Sequence, residues 1–513
     1  MADASPPPDS LTAAAASPAW TPPRPDPQPR PLPIPRLIRS MGRDMLSTWP
    51  EEAFREPWTR RDMLGAATLL VNDPAVLRRV LVDNAPNYVK TVIARRLLEP
   101  GVGRGLLLAE GADWQRRRRL LAPSFTPRTI AALAPAFAAA TESMLEAWSP
   151  PEVDAYAAMQ LLALDIAART MFSLSLGERA ERLAAMVQEY QHKVGRPGLA
   201  DILAAGGLNP LPDFRRAGFR RRWTALIDGL VAERRSAGAD PARAKDVLDL
   251  LLEARDPDTG EGLTPEEVRD EVATLIAAGF ETTAMGLWWA LYLLGCDPVA
   301  QERARAEAQA AAGAAPDDLS GLPYVRAVVQ EAMRLYPPAH AFSRRAVAAD
   351  RVGALEIPAG TNVIVSPYVL HRHRTLWREP DRFLPERFLP GSDEANRPFT
   401  WLPFSTGPRV CIGMQFALVE SVTAVALILR RFRLTVPTPP PCAPWARSPP
   451  CPSVIPGCGW RRCEGCGGPG RLGLEGFAPF SPPHPFAVIP AKAGIQGPIA
   501  VAPMIAGPRL SPG

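Results

Sequence analysis

One long, almost uncharged helix is the feature that most constrains how this chain can fold. The segment TPEEVRDEVATLIAAGFETTAMGLWWALYLLGCDP opens at Thr264, which is an N-cap residue, with Pro265 at the first helical position and Glu267 completing a capping box. Gly295 and Pro298 are typical of a helix end. These signals predict a helix of about 30 residues, about 45 Å long, that crosses an entire domain.

Two ordinary interpretations of this helix come first. Residues 272–296 carry a single charge, that of Glu281, so a membrane span is one interpretation. A carboxylate in mid-span costs about 2.5–3.5 kcal/mol on insertion scales, and no second span accompanies it. A fully buried core helix is the other interpretation. Neither explains the sequence AAGFETT at the centre.

The central AAGFETT forms a helix poorly, and it carries side chains that could take part in chemistry. Gly279 costs about 1 kcal/mol in a helix interior. The hydroxyls of Thr282 and Thr283 can bond back to carbonyls four residues earlier and bend the helix. The small side chain of Ala278 beside Gly279 opens a groove, with Glu281 and Thr282 at its edge. A groove with an acid and a hydroxyl is suited to holding and protonating a small ligand.

Composition excludes several classes of function. The chain has 513 residues, 47% hydrophobic and 22% charged, as in a globular protein with a sizeable core. Its net charge is +5, with arginines scattered among acidic residues, so we expect no nucleic-acid partner. The N-terminus lacks a basic region followed by an apolar run, so we expect no secretory signal, a cytoplasmic location and reduced thiols.

Proline marks both ends of the patterned region. Of 60 prolines, 12 lie in residues 1–36 and 19 in residues 437–513. Residues 1–36 are predicted to be a disordered, polyproline-like linker without a membrane anchor. Residues 37–436 are mainly helical in pattern, with strand-like stretches at ATLLVND, residues 67–73, and in a hairpin pattern at residues 349–367. The fold class predicted is mainly α with a minor β region.

The loop FSTGPRVCIG, residues 404–413, stands directly before a strongly helical run. Gly407 and Gly413 permit turns that other residues disfavour, and Pro408 stiffens the loop. Cys411 therefore precedes a helix N-terminus, where backbone N–H groups and the helix dipole favour a thiolate.

Several uses of such a cysteine compete. A buried structural cysteine is the commonest. A nucleophile needs a histidine base, and none of the five histidines is placed by a motif. A zinc site needs further Cys or His ligands, which the loop lacks. An axial thiolate to haem iron needs one Cys in a rigid loop, N–H donors aimed at the sulfur, and cations for the propionates, of which Arg409 would be one.

The loop resembles the haem-binding signature of the cytochrome P-450 family, in which a Phe, two Gly, an Arg and the Cys recur at this spacing. The segment AGFETT resembles that family's oxygen-binding motif, with an acid followed by a threonine. The matching positions are Phe404, Gly407, Arg409, Cys411 and Gly413 in the loop and Glu281 and Thr282 in the helix.

Further matches follow in the family's order. Glu331 and Arg334, in EAMR, are spaced for one helix face and resemble two members of the family's Glu–Arg–Arg network, with Arg387 of PERF as the third. The alternative for such a pair is a solvated surface couple. The resemblance makes three further residues propionate ligands: Trp114 and Arg118 of WQRRR, and Arg345, five residues before Asp350.

The resemblance, which covers residues 37–436, implies one large helical domain around a buried haem b. It implies Cys411 as the iron ligand and O2 binding beside Ala278 and Gly279. It further implies that Thr282 and Glu281 deliver protons through ordered water. The reaction is then oxygen insertion into an apolar C–H bond of a hydrophobic small molecule. No flavin, iron–sulfur or dinucleotide motif is visible, so we expect two electrons from a separate ferredoxin with its reductase, as in the soluble bacterial type.

The C-terminal segment departs from the family pattern. Family members end in a β hairpin that closes the substrate pocket, whereas residues 437–513 are rich in Pro, Cys and Gly and lack strand alternation. We expect this tail to arise from a frameshift or read-through, with weak haem retention as the result. Metal binding by its cysteines is the alternative: Cys451, Cys458, Cys463 and Cys466.

Two other functions stay open at this point. One is a partner-independent enzyme that uses peroxide, although such enzymes usually alter the acid–threonine pair. The other is a degraded or truncated haem protein with little activity, which the tail favours.

Overall fold

The computed structural model describes residues 20–41, 45–63, 66–148, 152–173, 177–205, 213–236, 245–313, 321–394, 396–436 and 486–490. Helices dominate this part of the chain, which confirms the predicted fold class. The helices are α1 Ile34–Met41, α2 Pro74–Arg78, α3 Val92–Val102, α4 Gly111–Leu121, α5 Pro127–Ala147, α6 Ala155–Met171, α7 Gly177–Glu189, α8 Leu199–Ala205, α9 Phe214–Ser236, α10 Val247–Glu253, α11 Pro265–Cys296, α12 Pro298–Ala310, α13 Pro323–Leu335, α14 Pro367–Leu370 and α15 Met414–Arg431.

The predicted central helix is α11, and it begins where the sequence signals place it. The Thr264 hydroxyl accepts from the Glu267 N–H at 3.2 Å, and the Glu267 carboxylate accepts from the Thr264 N–H at 2.9 Å. The helix is 32 residues long and ends at Cys296, and the next residue, Asp297, caps α12. Most of α11 is buried, because α6, α9, α13 and α15 all pack against it. Among the described residues, no helix has the length and apolar character needed to cross a membrane.

The strands are short and form three sheets. They are β1 Trp58–Met63, β2 Ala66–Val71, β3 Tyr88–Lys90, β4 Glu152–Val153, β5 Phe342–Ala346, β6 Asp350–Val352, β7 Leu355–Ile357, β8 Asn362–Val365, β9 Phe432–Thr435 and β10 Phe486–Pro490. The largest sheet has the order β1-β2-β8-β5-β3, with β2 and β8 parallel and the other pairs antiparallel. This sheet brings β3 and β5 to one edge, and both carry residues of the site described below.

The predicted strand at 67–73 corresponds to β2, and the hairpin pattern at 349–367 is confirmed in part. β6 and β7 pair around a turn at Gly353, whose φ is +55°. The third stretch, β8, leaves the hairpin and joins the large sheet, where Val363 and Val365 are fully buried. A pattern of alternating residues fixes a strand but not the partner it pairs with.

The tail contains a described strand although its sequence lacks strand alternation. β10 pairs antiparallel with both β9 and β4. Its register sets Val488 opposite Leu434. The tail cysteines lie outside the described residues, as do residues 1–19 of the predicted linker. The domain limits at 37 and 436 stay predictions.

Candidate active site

The cysteine loop is held in shape by its own backbone and by a neighbouring helical turn. The Cys411 N–H donates to the Phe404 carbonyl at 2.9 Å, which closes the loop just before α15. Gly407 has a φ of +71°, and a Cβ placed there would lie 2.2 Å from the Leu81 carbonyl oxygen. Only glycine fits such a close approach. A Cβ at Gly413 would meet nothing within 4 Å, so the described residues give no reason for that glycine.

The Cys411 thiol lies deep in the protein and is nevertheless accessible. Burial raises the pKa of the thiol, while the Gly413 N–H and the Arg118 charge act in the opposite direction. The expected preference for a thiolate at the helix start is therefore present but outweighed by desolvation. A metal cation at the sulfur would supply the missing stabilisation of the anion.

Two predicted cations lie near Cys411: Arg118 on α4, and Arg409 in the loop itself, where it packs against α4. The Arg118 guanidinium donates to the carbonyl of Val410 at 3.0 Å. The Arg409 guanidinium lies over the Trp114 ring, 4.2 Å from its centroid, and forms an ion pair with Glu110. Trp114, Arg118 and Arg409 are thus brought together, as predicted from the sequence.

Strand β5 places the predicted Arg345 on the face opposite to this cluster. Successive side chains of a strand point to opposite faces. Arg345 is exposed, whereas its neighbour Arg344 is 7% exposed. Burial and then the charge of Arg409 lower the pKa of Arg344 to about 10, which puts Arg344 in the cluster. The sequence pattern pointed to Arg345, whereas the arginine buried in the cluster is its neighbour Arg344.

Lys90, at the end of β3, is a member that the sequence analysis missed. Burial, and then the charges of Arg344 and Arg409, lower its pKa to about 7 against the opposing charge of Glu110. Among the described residues, Glu110 is the carboxylate whose charge reaches Lys90 and Arg344, and it is already paired with Arg409. With Arg118, and with Arg95 at 3.8 Å from Glu110, five basic side chains face one carboxylate. The cluster is suited to an anion that carries more than one negative charge.

An accessible patch interrupts the buried surface of α11. Ala278 and Thr282, one turn apart, are exposed, and Gly279 between them is partly so. The hydroxyl of Thr282 donates to the Ala278 carbonyl at 2.8 Å, and that of Thr283 donates to the Gly279 carbonyl at 2.9 Å. The predicted back-bonding is confirmed. The hydroxyl oxygen of Thr282 keeps acceptor capacity on the accessible face.

Glu281 points elsewhere. It is 5% exposed, and its two carboxylate oxygens accept hydrogen bonds from the Tyr156 hydroxyl at 2.6 Å and the Gln160 amide at 3.0 Å. Both donors belong to α6. Adjacent helical residues are separated by 100° around the axis, so the accessible face of Thr282 and the α6 face of Glu281 differ. The structure does not set the acid and the hydroxyl side by side.

The predicted Glu–Arg–Arg network is assembled and fully buried. Arg334 donates twice to the Glu331 carboxylate, at 2.6 and 2.8 Å, and the Arg387 Nε lies 3.5 Å from it. Arg334 also donates to the His371 carbonyl at 2.7 Å, and the His371 ring accepts from the Leu402 N–H at 2.7 Å. This chain of contacts links α13 to the segment just before the cysteine loop.

The residues present fit a haem. An accessible thiol deep in the fold, whose anion lacks stabilisation, matches an iron ligand. The buried surplus of positive charge matches two propionates. The small-residue patch on α11 would leave room for a flat group.

Comparisons with known proteins agree with this geometry. The sequence model of the family Cytochrome P450 matches residues 22–448, which begins within the segment predicted as a linker and ends beyond residue 436. Cyclooctat-9-en-7-ol 5-monooxygenase and cyclooctatin synthase of Streptomyces melanosporofaciens are 35% and 34% identical to this chain, each over 70% of it and 79% of the relative. Leukotriene-B4 omega-hydroxylase 3 of Mus musculus is 31% identical over 72% of this chain and 76% of its own length.

A solved structure shares the architecture. The crystal structure of a cytochrome P450, CYP102L1, superposes with a TM-score of 0.68 at 25% sequence identity, covering 82% of this chain and 95% of that one. Family match, relatives and fold agree over most of the molecule. The chain therefore belongs to the cytochrome P450 family and is a monooxygenase of that family.

Proposed function

We propose that this chain inserts one oxygen atom of O2 into an apolar organic substrate, with haem b bound through Cys411 and two electrons from a separate redox partner. Haem and O2 are what the family implies. The single observation that carries the assignment concerns the Cys411 thiol. It lies deep in the fold, next to the charge of Arg118, and is nevertheless accessible. When bound, the haem supplies the activation of O2 and the transfer of its oxygen.

Positively charged residues would hold the propionates. Arg118, Arg409 and Lys90 are candidates, with Trp114 stacked under Arg409. We assign Arg344 to this set in place of Arg345, because Arg344 is buried with the cluster. Phe404 contributes the carbonyl that orients the Cys411 N–H, and Gly413 the N–H that reaches the sulfur.

Thr282 and Glu281 would handle protons. The hydroxyl of Thr282, anchored on the Ala278 carbonyl, can accept from a water on the accessible face of α11. Ala278 and Gly279 leave that face open to a small ligand. Glu281 would contribute from its position against α6.

The substrate we propose is apolar and carbon-rich. Two relatives are named for acting on cyclooctat-9-en-7-ol and leukotriene B4, which are both largely hydrocarbon. A ferredoxin with its reductase as the electron source, and a cytoplasmic location, stay predictions from the sequence.

The test is spectroscopic and then catalytic. The reduced protein with bound carbon monoxide should show the red-shifted Soret band of a thiolate-bound haem, and the Cys411→Ser variant should lack this band. Arg344→Gln should lower haem affinity more than Arg345→Gln. A spectral-shift screen of the ferric protein against terpenoids and fatty acids would then find the substrate. Absence of the red-shifted band in the wild-type protein would overturn the proposed ligation.

Turnover separates this proposal from its rivals. Product formed with a reduced ferredoxin and O2, but not with peroxide, supports the monooxygenase over a peroxide-using enzyme. Full haem occupancy would contradict the expected weak haem retention and the idea of a degraded protein.

A further inference from the structure

The interface between α6 and α11 contains a carboxylate that is hydrogen-bonded at both oxygens. Tyr156 and Gln160 are four residues apart on α6 and so lie on one face. The phenol donates to Glu281 Oε1 at 2.6 Å and the amide donates to Oε2 at 3.0 Å. Both donors are neutral, and the acceptor is 5% exposed.

Tyr156 is a fixed and persistent donor. Its ring packs edge-on against Trp288, with 5.8 Å between centroids. Burial, followed by the charge and the hydrogen bond of Glu281 and the charge of Asp154, raises the pKa of Tyr156 well above its usual value. The phenol therefore keeps its proton throughout the neutral pH range and remains a hydrogen-bond donor to Glu281.

We propose that Tyr156 and Gln160 are positioning residues that hold the Glu281 carboxylate in its ionised form against α6, and thereby set how readily this acid takes up and passes on a proton. The inference rests on the proposed function, in which Glu281 handles protons. The step is balanced without any other reagent: the carboxylate takes a proton from a hydronium ion, which leaves water and the neutral acid, and it returns to the carboxylate when it gives that proton to another water molecule. Neither Tyr156 nor Gln160 changes its own protonation.

The physical argument concerns the charged form of the acid. Hydrogen bonds to a carboxylate favour ionisation, whereas burial disfavours it. Tyr156→Phe removes one such bond and leaves burial unchanged. The titration midpoint of Glu281 should then move up by about one pH unit, the equivalent of one hydrogen bond to a charged group. Asp154 is a second titratable group near this pair, and its charge acts on Tyr156.

Infrared spectroscopy measures this without turnover. pH-difference spectra of the full chain would follow the carbonyl stretch of the protonated carboxyl, and the band that vanishes in Glu281→Gln belongs to Glu281. Tyr156→Phe and Gln160→Leu are compared with the wild type. Tyr324→Phe is the matched control, because Tyr324 also donates to a carboxylate at 3.2 Å, but to that of Glu386 and not to Glu281.

An upward shift of the Glu281 midpoint in Tyr156→Phe and Gln160→Leu, with none in Tyr324→Phe, supports the proposal. The pH profile of turnover should shift in the same direction in the same variants. An unchanged midpoint in both α6 variants overturns it, and if Tyr156→Phe does not fold, Gln160→Leu alone decides. A wild-type protein without turnover would count against the proposed function, while the infrared midpoints would still decide the positioning role.

Discussion

Asp201 on α8 is the centre of a buried ion-pair cluster whose removal has a calculable effect. Its carboxylate accepts from Arg216 at 2.6 and 2.8 Å, from Arg96 at 2.9 Å and from the Gly198 N–H at 2.9 Å. The side chain is 2% exposed and that of Arg216 is 8% exposed. The cluster ties α8 to α3 and to the start of α9, so Asp201→Asn tests how firmly these three helices are held together.

The magnitude follows from the titration of Asp201. Burial, the largest single effect, acts to raise its pKa, but the hydrogen bonds of Arg216, Gly198 and Arg96 together outweigh burial and lower the pKa from 3.8 to about 2. At 1.36 kcal/mol per pH unit, the ionised form contributes about 2 kcal/mol to the free energy of unfolding at neutral pH. Asp201→Asn also leaves the Arg216 charge buried without its anion, which raises the expected loss towards about 3–5 kcal/mol.

The pH dependence has a definite sign. Because the folded pKa lies below the unfolded one, the contribution is complete above pH 4 and falls as the pH drops towards 2. The gap between the wild type and Asp201→Asn should be constant from pH 5 to 8 and narrow by about 1 kcal/mol by pH 3. Adding Arg216→Gln should recover part of the loss, because the double variant buries no unpaired charge.

Urea unfolding followed by circular dichroism at several pH values is the assay. The control is Asp165→Asn, which breaks an exposed i,i+4 pair with Arg169 on α6 and should change the free energy by less than about 1 kcal/mol. The reasoning is refuted if Asp201→Asn costs no more than the control at pH 7, or if the gap does not narrow in acid.

Three further predictions concern other parts of the fold. Burial raises the pKa of Glu420 on α15 well above its usual value, so the folded state favours the protonated acid and loses stability as the pH rises. Glu420→Gln should therefore raise the thermal unfolding midpoint at pH 8 and leave it unchanged near pH 4. Gly407→Ala should displace the cysteine loop and weaken the red-shifted carbonyl band, whereas Gly229→Ala, where a Cβ meets nothing within 4 Å, should leave the band intact. A chain ended at Pro437 lacks β10 and leaves β9 and β4 without their shared partner, so it should unfold at a lower temperature than the full chain; an equal unfolding temperature would contradict a stabilising role for β10.

Features set by neighbouring residues could be predicted from the sequence. The N-cap at Thr264 and the back-bonded Thr282 depend on contacts within four residues, and both were predicted correctly. The cysteine loop was recognisable because Gly407 and Cys411 stand in one short segment. In each case the physical cause lies inside the window that a sequence pattern covers.

Features that depend on contacts between residues far apart in the chain could not be predicted from the sequence. Whether Arg344 or Arg345 faces the cation cluster depends on the register of β5, and a shift of one residue exchanges the two faces. The orientation of Glu281 depends on which side of α11 meets α6. Lys90 carried no signal beyond being one of few lysines, since Arg344 and Arg409, the cations beside it, are more than 250 residues away along the chain. Strand β10 exists through its pairing with β9 and β4, not through its own alternation.

The contacts around the cysteine loop bear on how the protein is made. Arg409 donates to the carbonyl of Ala109, and Arg118 to that of Val410, so these bonds join residues about 300 positions apart. During synthesis, the N-terminal half leaves the ribosome long before the loop that completes the site exists. The cluster is therefore complete only late in synthesis, once Arg344 and Arg409 have joined Lys90 and Arg118, and the proposed cofactor would find its full site only after most of the chain has been made.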